Sequence, residues 1–285
     1  MTQKGKLYIV ATPIGNMDDI TIRAVKTLEN ADIIAAEDTR HTARLLSYHN
    51  IGTKLISCHE HNEAQKSGEL VKRLEIGDSV ALVSDAGTPL VSDPGYRLIQ
   101  AALEKDIQII PIPGVSAAIT ALSASGLPTD SFTFSGFPPK KSGKRLSWLE
   151  DLKNVSHTLI FYESPRRIMD FIQEIIEIMG DRYAVLSREM TKVYEEFIRG
   201  SLSEILDILK TRDSIKGECT LLITGNQNND TVSMETLAAE IEKALILENR
   251  KISEISKTIS KKYGLSKNIV YEQALIIQNK RNENG

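Results

Sequence analysis

The chain has 285 residues, 41% of them hydrophobic, and a formal net charge of −3 at pH 7. This length is enough for about two domains that each bury a core, and the weakly acidic balance excludes a protein that coats nucleic acid through its overall charge. No run approaches the roughly 18 apolar residues of a membrane span, and the chain begins with a strand pattern instead of a signal peptide. We therefore expect a cytoplasmic protein without a membrane partner.

Residues 1–113 predict an N-terminal α/β domain. Strand and helix patterns alternate here with short polar breaks between them, which is typical of a parallel sheet. The predicted strands are residues 7–11, 33–36, 54–57, 79–83 and 107–112, and the predicted helices are residues 21–28, 40–48, 63–74 and 96–104.

Two loops of this domain carry residues that are typical of ligand-binding loops. The loop at residues 84–95 holds two aspartates (Asp85 and Asp93), two glycines and two prolines, and a second strand turns through residues 113–114, Pro-Gly, into a helix of small residues. Ligands of open α/β sheets bind beyond the carboxyl ends of the strands, and glycines let a ligand approach the main chain closely. We therefore expect the two loops to follow adjacent strands and to offer backbone groups to one ligand.

Residues 114–225 predict a second α/β domain. The expected strands are residues 132–135, 158–162, 183–187, 195–200 and 220–224, and the expected helices are residues 115–125, 146–152, 168–179 and 202–209. Residues 189–194 form a tight connection of the kind that joins antiparallel strands, so this sheet is predicted to be mixed. A cleft is expected where the two domains meet, at residues 113–130.

Residues 232–285 predict a small helical module after a polar linker at residues 225–230. Helical patterns cover residues 234–247, 252–262 and 267–279, with a short turn before the last helix. Such a helix pair resembles a helix-turn-helix unit, although similar pairs also serve as plain packing or dimerisation elements. Residues 249–281 contain eight Lys and Arg against two Glu, a local charge of +6 that favours nucleic-acid binding.

Several familiar kinds of site are absent from the sequence. No phosphate-binding or dinucleotide-binding glycine motif follows the first strand, and Ser84 and Ser116 lack the residues that surround a hydrolase nucleophile. The histidines of residues 58–62 are too close in sequence to converge on a metal, so we expect no metal site. Cys58 and Cys219 lie in or beside apolar strands and are expected to be buried, inert thiols.

The remaining features favour S-adenosylmethionine as the ligand. Backbone amides can bind its carboxylate, backbone carbonyls suit its amino group and sulfonium, and small residues at a helix start admit a flat adenine ring. Asp85 supplies a carboxylate at a strand end. Methyl transfer from a sulfonium then requires mainly that donor and acceptor are held in line.

Seven motifs extend this interpretation to a family. They are residues 12–16 (TPIGN), 36–40 (AEDTR), 84–89 (SDAGTP), 92–95 (SDPG), 113–117 (PGVSA), 163–167 (ESPRR) and 188–192 (REMTK). With them, the chain resembles the ribosomal RNA small subunit methyltransferase I family of the class III, or tetrapyrrole-methylase, superfamily. The resemblance covers residues 6–225 in one order and spacing, and the C-terminal module is also typical of the family.

The resemblance implies a fold, a reaction and a donor site. It implies a homodimer of two-domain α/β subunits of the class III type, which binds S-adenosylmethionine between its domains. The implied reaction is 2′-O-methylation of a decoding-centre cytidine of 16S rRNA in the assembled small ribosomal subunit. The residues that it places at the donor site are Pro13, Asp85, Ala86, Gly87, Leu90, Ser116, Ala117, Glu163 and Thr220.

Catalytic residues are less clearly indicated. Because a ribose hydroxyl is weakly acidic, a base or a charged group near the methyl group should help. Asp38 is a candidate base and Arg40 a candidate phosphate anchor, although a helix cap and a solvated ion pair would explain the two residues equally well. Glu189 and Lys192, in the tight connection of the second domain, are the next candidates, followed by His61.

Basic residues outside the donor site are the predicted contacts of RNA. They are Lys140, Lys141, Lys144 and Arg145 in one loop, Arg166 and Arg167 after a strand, and Lys261 and Lys262 in the helical module. Two other functions stay open on the sequence alone. One is a methylase of a tetrapyrrole or another non-RNA acceptor, which would not need the basic tail. The other is a non-catalytic nucleic-acid-binding regulator, which would leave the cleft unexplained.

Overall fold

The computed structural model describes residues 3–226, 234–246, 251–263 and 267–283. The chain divides into two compact units at residues 225 and 226. The first unit contains two five-stranded sheets, and the second contains helices.

The first sheet is built from residues 6–112. Its strands are β1 (Lys6–Val10), β2 (Ile33–Ala36), β3 (Leu55–Ser57), β4 (Val80–Val83) and β5 (Gln108–Ile112), and its helices are α1 (Ile22–Asn30), α2 (Thr39–Tyr48), α3 (Glu63–Glu75) and α4 (Tyr96–Glu104). The strands lie in the order β3-β2-β4-β1-β5, and all pairings are parallel. The predicted parallel sheet is thereby confirmed.

The expectation that β4 and β5 are neighbours is wrong, because β1 lies between them. Parallel strands are joined by helical crossovers, and a crossover can pass over an intervening strand. The loop after β1 therefore enters the site between the two loops that the sequence singled out.

Side chains of one strand alternate between the two faces of this sheet, as strand geometry requires. In β4, Val80 and Leu82 pack into the core on one face, and Ala81 and Val83 pack into the core on the other. Helices cover both faces, which explains why the buried strands are continuous apolar runs in the sequence.

The second sheet is built from residues 117–223. Its elements are α5 (Ala117–Ser125), β6 (Phe132–Phe134), α6 (Ser142–Leu152), β7 (Thr158–Glu163), α7 (Ile168–Met179), β8 (Tyr183–Arg188), β9 (Glu196–Ser201), α8 (Leu202–Lys210) and β10 (Cys219–Ile223). The strand order is β6-β7-β10-β8-β9, in which β6 pairs parallel with β7 and the other pairings are antiparallel. The predicted mixed sheet is also confirmed.

A shared apolar cluster joins the two sheets. Ile14, from the loop after β1, packs with Ala118 and Ala121 of α5 and with Leu222 of β10. This contact brings the strand ends of the first sheet against one face of the second, so the loops after β1, β4 and β5 line the space between them.

The second unit contains α9 (Met234–Ile246), α10 (Ile252–Tyr263) and α11 (Lys267–Glu283). Its own apolar core includes Leu237 and Ile241 of α9, Ile255 of α10, and Val270 and Ala274 of α11. Residues 227–230 of the predicted linker, which spans residues 225–230, and the predicted turn at residues 264–266 lie outside the described residues. Across the described part of the chain, no helix combines the length and apolarity that crossing a membrane would require.

Candidate active site

Main-chain hydrogen bonds join the loops after β1 and β4. Thr12 and Gly87 form an isolated antiparallel bridge, with N–H to O=C distances of 2.8 and 3.0 Å in the two directions. The hydroxyl of Thr12 also donates to the carbonyl of Ser84 at 3.2 Å. Gly87 has φ of +78°, a conformation that glycine adopts without the Cβ penalty. The bridge fixes the position of Asp85 and Ala86 beside the space between the sheets.

That space contains a cleft of about 400 Å³. Its volume lies within the range of roughly 300–1,000 Å³ that is usual for small-molecule sites. The predicted donor-site residues that line it are Asp85, Ala86, Ser116, Ala117, Glu163 and Thr220. The structure thus brings together residues from the ends of β4 and β7, the start of α5, and β10.

Three other predicted donor-site residues do not line this cleft. Pro13 lines a second cavity on the other side of the Asp85–Ala86 segment. Gly87 is buried in its bridge with Thr12, and Leu90 packs against the core of the first sheet. These two residues hold the shape of the loop behind the cleft.

Carboxylates from separate loops meet at the cleft. Glu37 follows β2, while Asp85 and Asp93 belong to the loop after β4, and all three line the cleft. Burial, together with the neighbouring charges of Asp93 and Asp85, raises the pKa of Glu37 to about 7. Burial also raises the pKa of Asp93 to about 6. The cleft therefore favours a cationic ligand and contains groups that titrate near neutral pH.

Glu163, at the end of β7, belongs to the lining of the cleft and has one carboxylate oxygen without a partner in the described part of the chain. The residue is 2% exposed. Its Oε1 accepts from the backbone N–H of Ser164 at 2.6 Å and pairs with Arg167 at 2.6 Å. Its Oε2 is buried and has no hydrogen-bond partner among the residues that the structure describes. A buried oxygen of this kind is costly unless a ligand supplies a donor.

The second cavity, of about 140 Å³, lies beyond Asp85 and Ala86. Its other lining residues are Thr12, Pro13, Ile14, Gly15, Met17, His41, Thr42, Leu45, Ser84, Lys192 and Glu218. Ile14, Asp85, Ala86 and Glu218 line both cavities. The two spaces therefore adjoin each other along the loops after β1 and β4.

Asp38 and Arg40 form a local pair at the start of α2. Asp38 is the N-cap residue of this helix, and its carboxylate accepts from both the backbone and the side chain of Arg40 at 2.6–3.1 Å. Hydrogen bonds from the Arg40 side chain hold the pKa of Asp38 well below its usual range. Asp38 is consequently a weak base, and neither residue lines either cavity. The cap and ion pair that the sequence also allowed are what the structure contains.

Glu189 and Lys192 form a second pair, beside the small cavity. The Lys192 ammonium donates to Glu189 at 2.9 Å and to Glu218 at 3.1 Å. Burial disfavours the charged ammonium, but these hydrogen bonds outweigh it and raise the pKa of Lys192. The hydrogen bond from Lys192 lowers the pKa of Glu189. Both groups are therefore charged at neutral pH, and Lys192 can act as a hydrogen-bond donor to a ligand.

Sequence reasoning missed Glu37, Asp93 and Glu218 as site residues. Glu37 and Asp93 stood inside quoted motifs and follow strands of the parallel sheet, so their positions alone indicated the right edge of the sheet. Glu218 lies two residues before the predicted strand at residues 220–224. Nothing in the sequence indicated that the carboxylates would be close enough to alter one another's pKa.

The predicted RNA contacts differ in how free their side chains are. Lys140, Lys141, Lys144 and Arg166 are exposed, and Lys144 lies in the first turn of α6 instead of in a loop. Arg145 donates two hydrogen bonds to Glu174, at 2.5 and 2.6 Å, and its side chain is 12% exposed. It therefore holds α6 against α7, and we remove it from the RNA surface.

Two more of the predicted RNA contacts are held in ion pairs. Arg167 is paired with Glu163, and Lys262 is paired with Glu240 of α9. The side chain of Lys261 lies outside the described residues.

The remaining candidates from the sequence are the histidine cluster and the two cysteines. Within the described ranges, no group of His, Cys, Asp and Glu is arranged to hold a metal ion, and the cluster at residues 58–62 is no exception. Both cysteines are free and buried, and burial raises the pKa of Cys58 to about 11 and that of Cys219 to about 12. The prediction of inert thiols is confirmed.

The fold is that of a methylase class. The family model of the tetrapyrrole (corrin/porphyrin) methylases matches residues 6–206. Solved structures of similar fold include a cobalt precorrin-4 methyltransferase, with a TM-score of 0.59 and 20% identity over 77% of this chain and 94% of that one. A diphthine synthase has a TM-score of 0.60 and 17% identity over 78% of this chain and 90% of that one.

Relatives with higher identity narrow the class to one family. A protein of Halalkalibacterium halodurans named ribosomal RNA small subunit methyltransferase I is 52% identical over 78% of this chain and 77% of that protein. A protein of the same name from Haemophilus influenzae is 44% identical over 95% of this chain and 96% of that protein. The chain belongs to the ribosomal RNA small subunit methyltransferase I family. This membership confirms the predicted family and the prediction that S-adenosylmethionine is the cofactor.

Proposed function

We propose that this protein methylates the ribose 2′-hydroxyl of a decoding-centre cytidine of 16S rRNA, in the assembled small ribosomal subunit. The observation that carries the proposal is the pair of adjoining cavities, the larger suited to a cationic donor and the smaller open to an acceptor. The relatives named ribosomal RNA small subunit methyltransferase I support RNA as the acceptor.

The larger cleft fits S-adenosylmethionine in both size and charge. Glu37, Asp85 and Asp93 place negative charge where a sulfonium and an amino group would be stabilised. The unpartnered Oε2 of Glu163 can accept a hydrogen bond from a donor group of the same ligand. Ser116 and Ala117, at the start of α5, leave room for a flat ring because their side chains are small.

The chemistry requires alignment and the removal of one proton. When bound, S-adenosylmethionine supplies a methyl group whose bond to sulfur breaks, with the electron pair staying on sulfur, as the new bond to the ribose oxygen forms. The hydroxyl proton must be transferred to a general base, and such a base works best when its pKa is near the working pH. Glu37 meets that condition, with a pKa of about 7, whereas Asp38 and Glu189 are weak bases. We assign the base to Glu37.

Exposed cations provide the contacts with RNA phosphates. Lys140, Lys141 and Lys144 are exposed around the start of α6, and Arg166 is exposed after β7. The side chain of Arg40 is 87% exposed, which suits the role of phosphate anchor despite its pairing with Asp38. The basic stretch at residues 249–281 adds further positive charge, and we retain the homodimer as part of this proposal.

Radiolabelled methyl transfer tests the proposal directly. The acceptors are small subunits from a strain that lacks this enzyme, the naked rRNA from the same subunits, and a pool of tetrapyrroles. We expect transfer to assembled subunits, and mapping of the product should find one 2′-O-methylated cytidine in the decoding centre. Methylation of the tetrapyrroles alone would assign the chain to the other acceptor class. A methyl group on a base instead of a ribose would refute the 2′-hydroxyl as the acceptor.

A further inference from the structure

The small cavity has the size of a single six-membered ring. A cavity of about 150 Å³ in another protein is large enough to bind benzene, and this one measures about 140 Å³. A pyrimidine ring therefore fits, whereas the fused rings of a purine would exceed the space. Leu45, which is 4% exposed, forms part of the wall that limits the volume.

Polar groups in the wall match the edge of such a base. Lys192 offers ammonium hydrogens, and Glu218 offers a carboxylate that is 74% exposed. Thr42 is 2% exposed, and its hydroxyl finds no hydrogen-bond partner in the described part of the chain. Cytosine presents an amino donor and carbonyl and ring-nitrogen acceptors, so donors and acceptors of this set are what its recognition requires.

The wall that carries Lys192 is held in place from two sides. A Cβ atom added to Gly15 would lie 2.6 Å from Cγ of Lys192 and 2.7 Å from Oγ1 of Thr191, so the lysine stem passes directly against the loop after β1. The backbone N–H of Asn16 donates to Thr191 at 3.0 Å. On the other side, Glu189 holds the ammonium at 2.9 Å. The donor is thus positioned before any ligand binds.

We infer that this cavity binds the pyrimidine base of the acceptor nucleotide, turned out of the RNA, and that it excludes purines by size. The inference rests on the proposed function, because it assigns the acceptor side of the same site. Enzymes that modify a base extrude its nucleotide into a fitted pocket, and a pocket for the base would also present the ribose of that nucleotide to the methyl donor. The ribose of a base seated here would lie next to Asp85 and Ala86, the residues that both cavities share.

The first experiment varies the acceptor. Small subunits are reconstituted with C, U, A or G at the modified position, and kcat/KM is measured for the full-length enzyme. We expect subunits with C or U to be methylated, and subunits with A or G to have a kcat/KM at least 100-fold lower. A purine methylated within tenfold of C would overturn the inference while leaving the proposed function intact. Failure to methylate the C-containing subunit would instead refute the proposed function, and the inference with it.

Two sets of variants then test the cavity itself. Leu45→Ala enlarges it and should reduce discrimination against A at least tenfold, with S-adenosylmethionine affinity unchanged within twofold. Because this truncation can unfold the chain, Thr42→Val and Thr42→Ser form an independent pair of similar size. Thr42→Val should raise KM for subunits at least fivefold with little change in kcat. Thr42→Ser keeps the hydroxyl group, so its KM should stay close to that of the wild type. Unchanged discrimination in a folded Leu45→Ala, or equal KM values for the two Thr42 variants, would show that the cavity does not bind the base.

Discussion

The backbone N–H of Asp38 donates a hydrogen bond to Oδ1 of Asp85 at 3.0 Å, which joins the end of β2 to the loop after β4. The bond crosses between neighbouring strands of the sheet and fixes Glu37, the preceding residue, at the same edge. Glu37 and Asp85 consequently line one cleft, and their charges act on each other. The affinity of the cleft for a cation should therefore depend on whether Glu37 is ionised.

We predict that S-adenosylmethionine binds more tightly at pH 8 than at pH 6. Glu37, with a pKa of about 7, is mostly protonated at the lower pH and mostly ionised at the higher one. Even in a water-like medium, a unit charge about 4 Å from the sulfonium contributes roughly 1 kcal/mol, or about fivefold in affinity. Isothermal titration calorimetry across this pH range measures the change.

S-adenosylhomocysteine and Glu37→Gln are the controls for this prediction. The product has no charge on sulfur, so its affinity should change less with pH. Glu37→Gln should flatten the profile between pH 6.5 and 8, leaving the lower-pH change that Asp93, with a pKa of about 6, produces. Equal pH dependence for donor and product, or a full profile in Glu37→Gln, would contradict this account.

We predict that Gly87→Val abolishes donor binding while a matched glycine tolerates substitution. Gly87 has φ of +78° and carries both hydrogen bonds of the bridge to Thr12, so a β-branched side chain would strain the loop that positions Asp85. The strain should also cost about 1–3 kcal/mol of unfolding free energy. Gly52→Ala is the control, because an added Cβ at Gly52 would meet nothing within 4 Å. Titration and thermal melting of both variants test this, and wild-type donor affinity in Gly87→Val would refute it.

We predict that the exposed lysines around the start of α6 affect RNA binding, whereas the buried Arg145–Glu174 pair beside them affects stability. Replacing Lys140, Lys141 and Lys144 together by Ala removes three exposed charges. If they contact phosphates, the plot of log affinity against log salt should become shallower by about two, with thermal stability unchanged. Unaltered salt dependence would indicate that the lysines are only solvated.

Glu174→Ala provides the contrasting variant. It leaves Arg145 largely buried without its partner, which should cost about 3 kcal/mol of unfolding free energy. Its effect on the salt dependence of subunit binding should be small, because Arg145 is directed at α7 and not at solvent. A shallower salt plot for Glu174→Ala with unchanged stability would mean that this pair belongs to the RNA surface after all.

Periodicity and local signals were enough to predict most of the fold. Residues 33–36, 96–104 and 168–179 have the same bounds in the structure as in the prediction, because buried strands and amphipathic helices each leave a local pattern. The position of β1 between β4 and β5 left no such pattern, since the order of parallel strands depends on how each crossover packs.

Local sequence patterns, without the family resemblance, located only the part of the site that one loop carries. Asp85 was identified because glycines and prolines surround it, whereas Ala86 and the other predicted residues of the cleft came from the family resemblance. Arg145 was misjudged because its partner, Glu174, lies on the next helix, and a sequence pattern does not show which charges will meet. The small cavity is likewise formed by segments far apart in sequence, among them residues 12–17, 41–45 and 192.

We predict that the chain truncated after Asn226 folds and binds S-adenosylmethionine but methylates small subunits poorly at low subunit concentration. The first unit has its own apolar cores, and the cleft is lined only by residues before position 226. Residues 249–281, with their local charge of +6, are lost on truncation, so subunit affinity should fall and depend less on salt.

The measurements for this truncation are donor titration, thermal melting, and kcat and KM for subunits at 50 and 200 mM salt. We expect donor affinity within twofold of the full chain, a kcat that is largely preserved, and a KM at least tenfold higher at the lower salt concentration. The triple lysine variant of the full chain is the matched control, because it alters phosphate contacts of the first unit alone. If the truncated protein methylates dilute subunits as fast as the full chain, the helical unit does not contribute to RNA binding, and its helices serve only to pack or to dimerise.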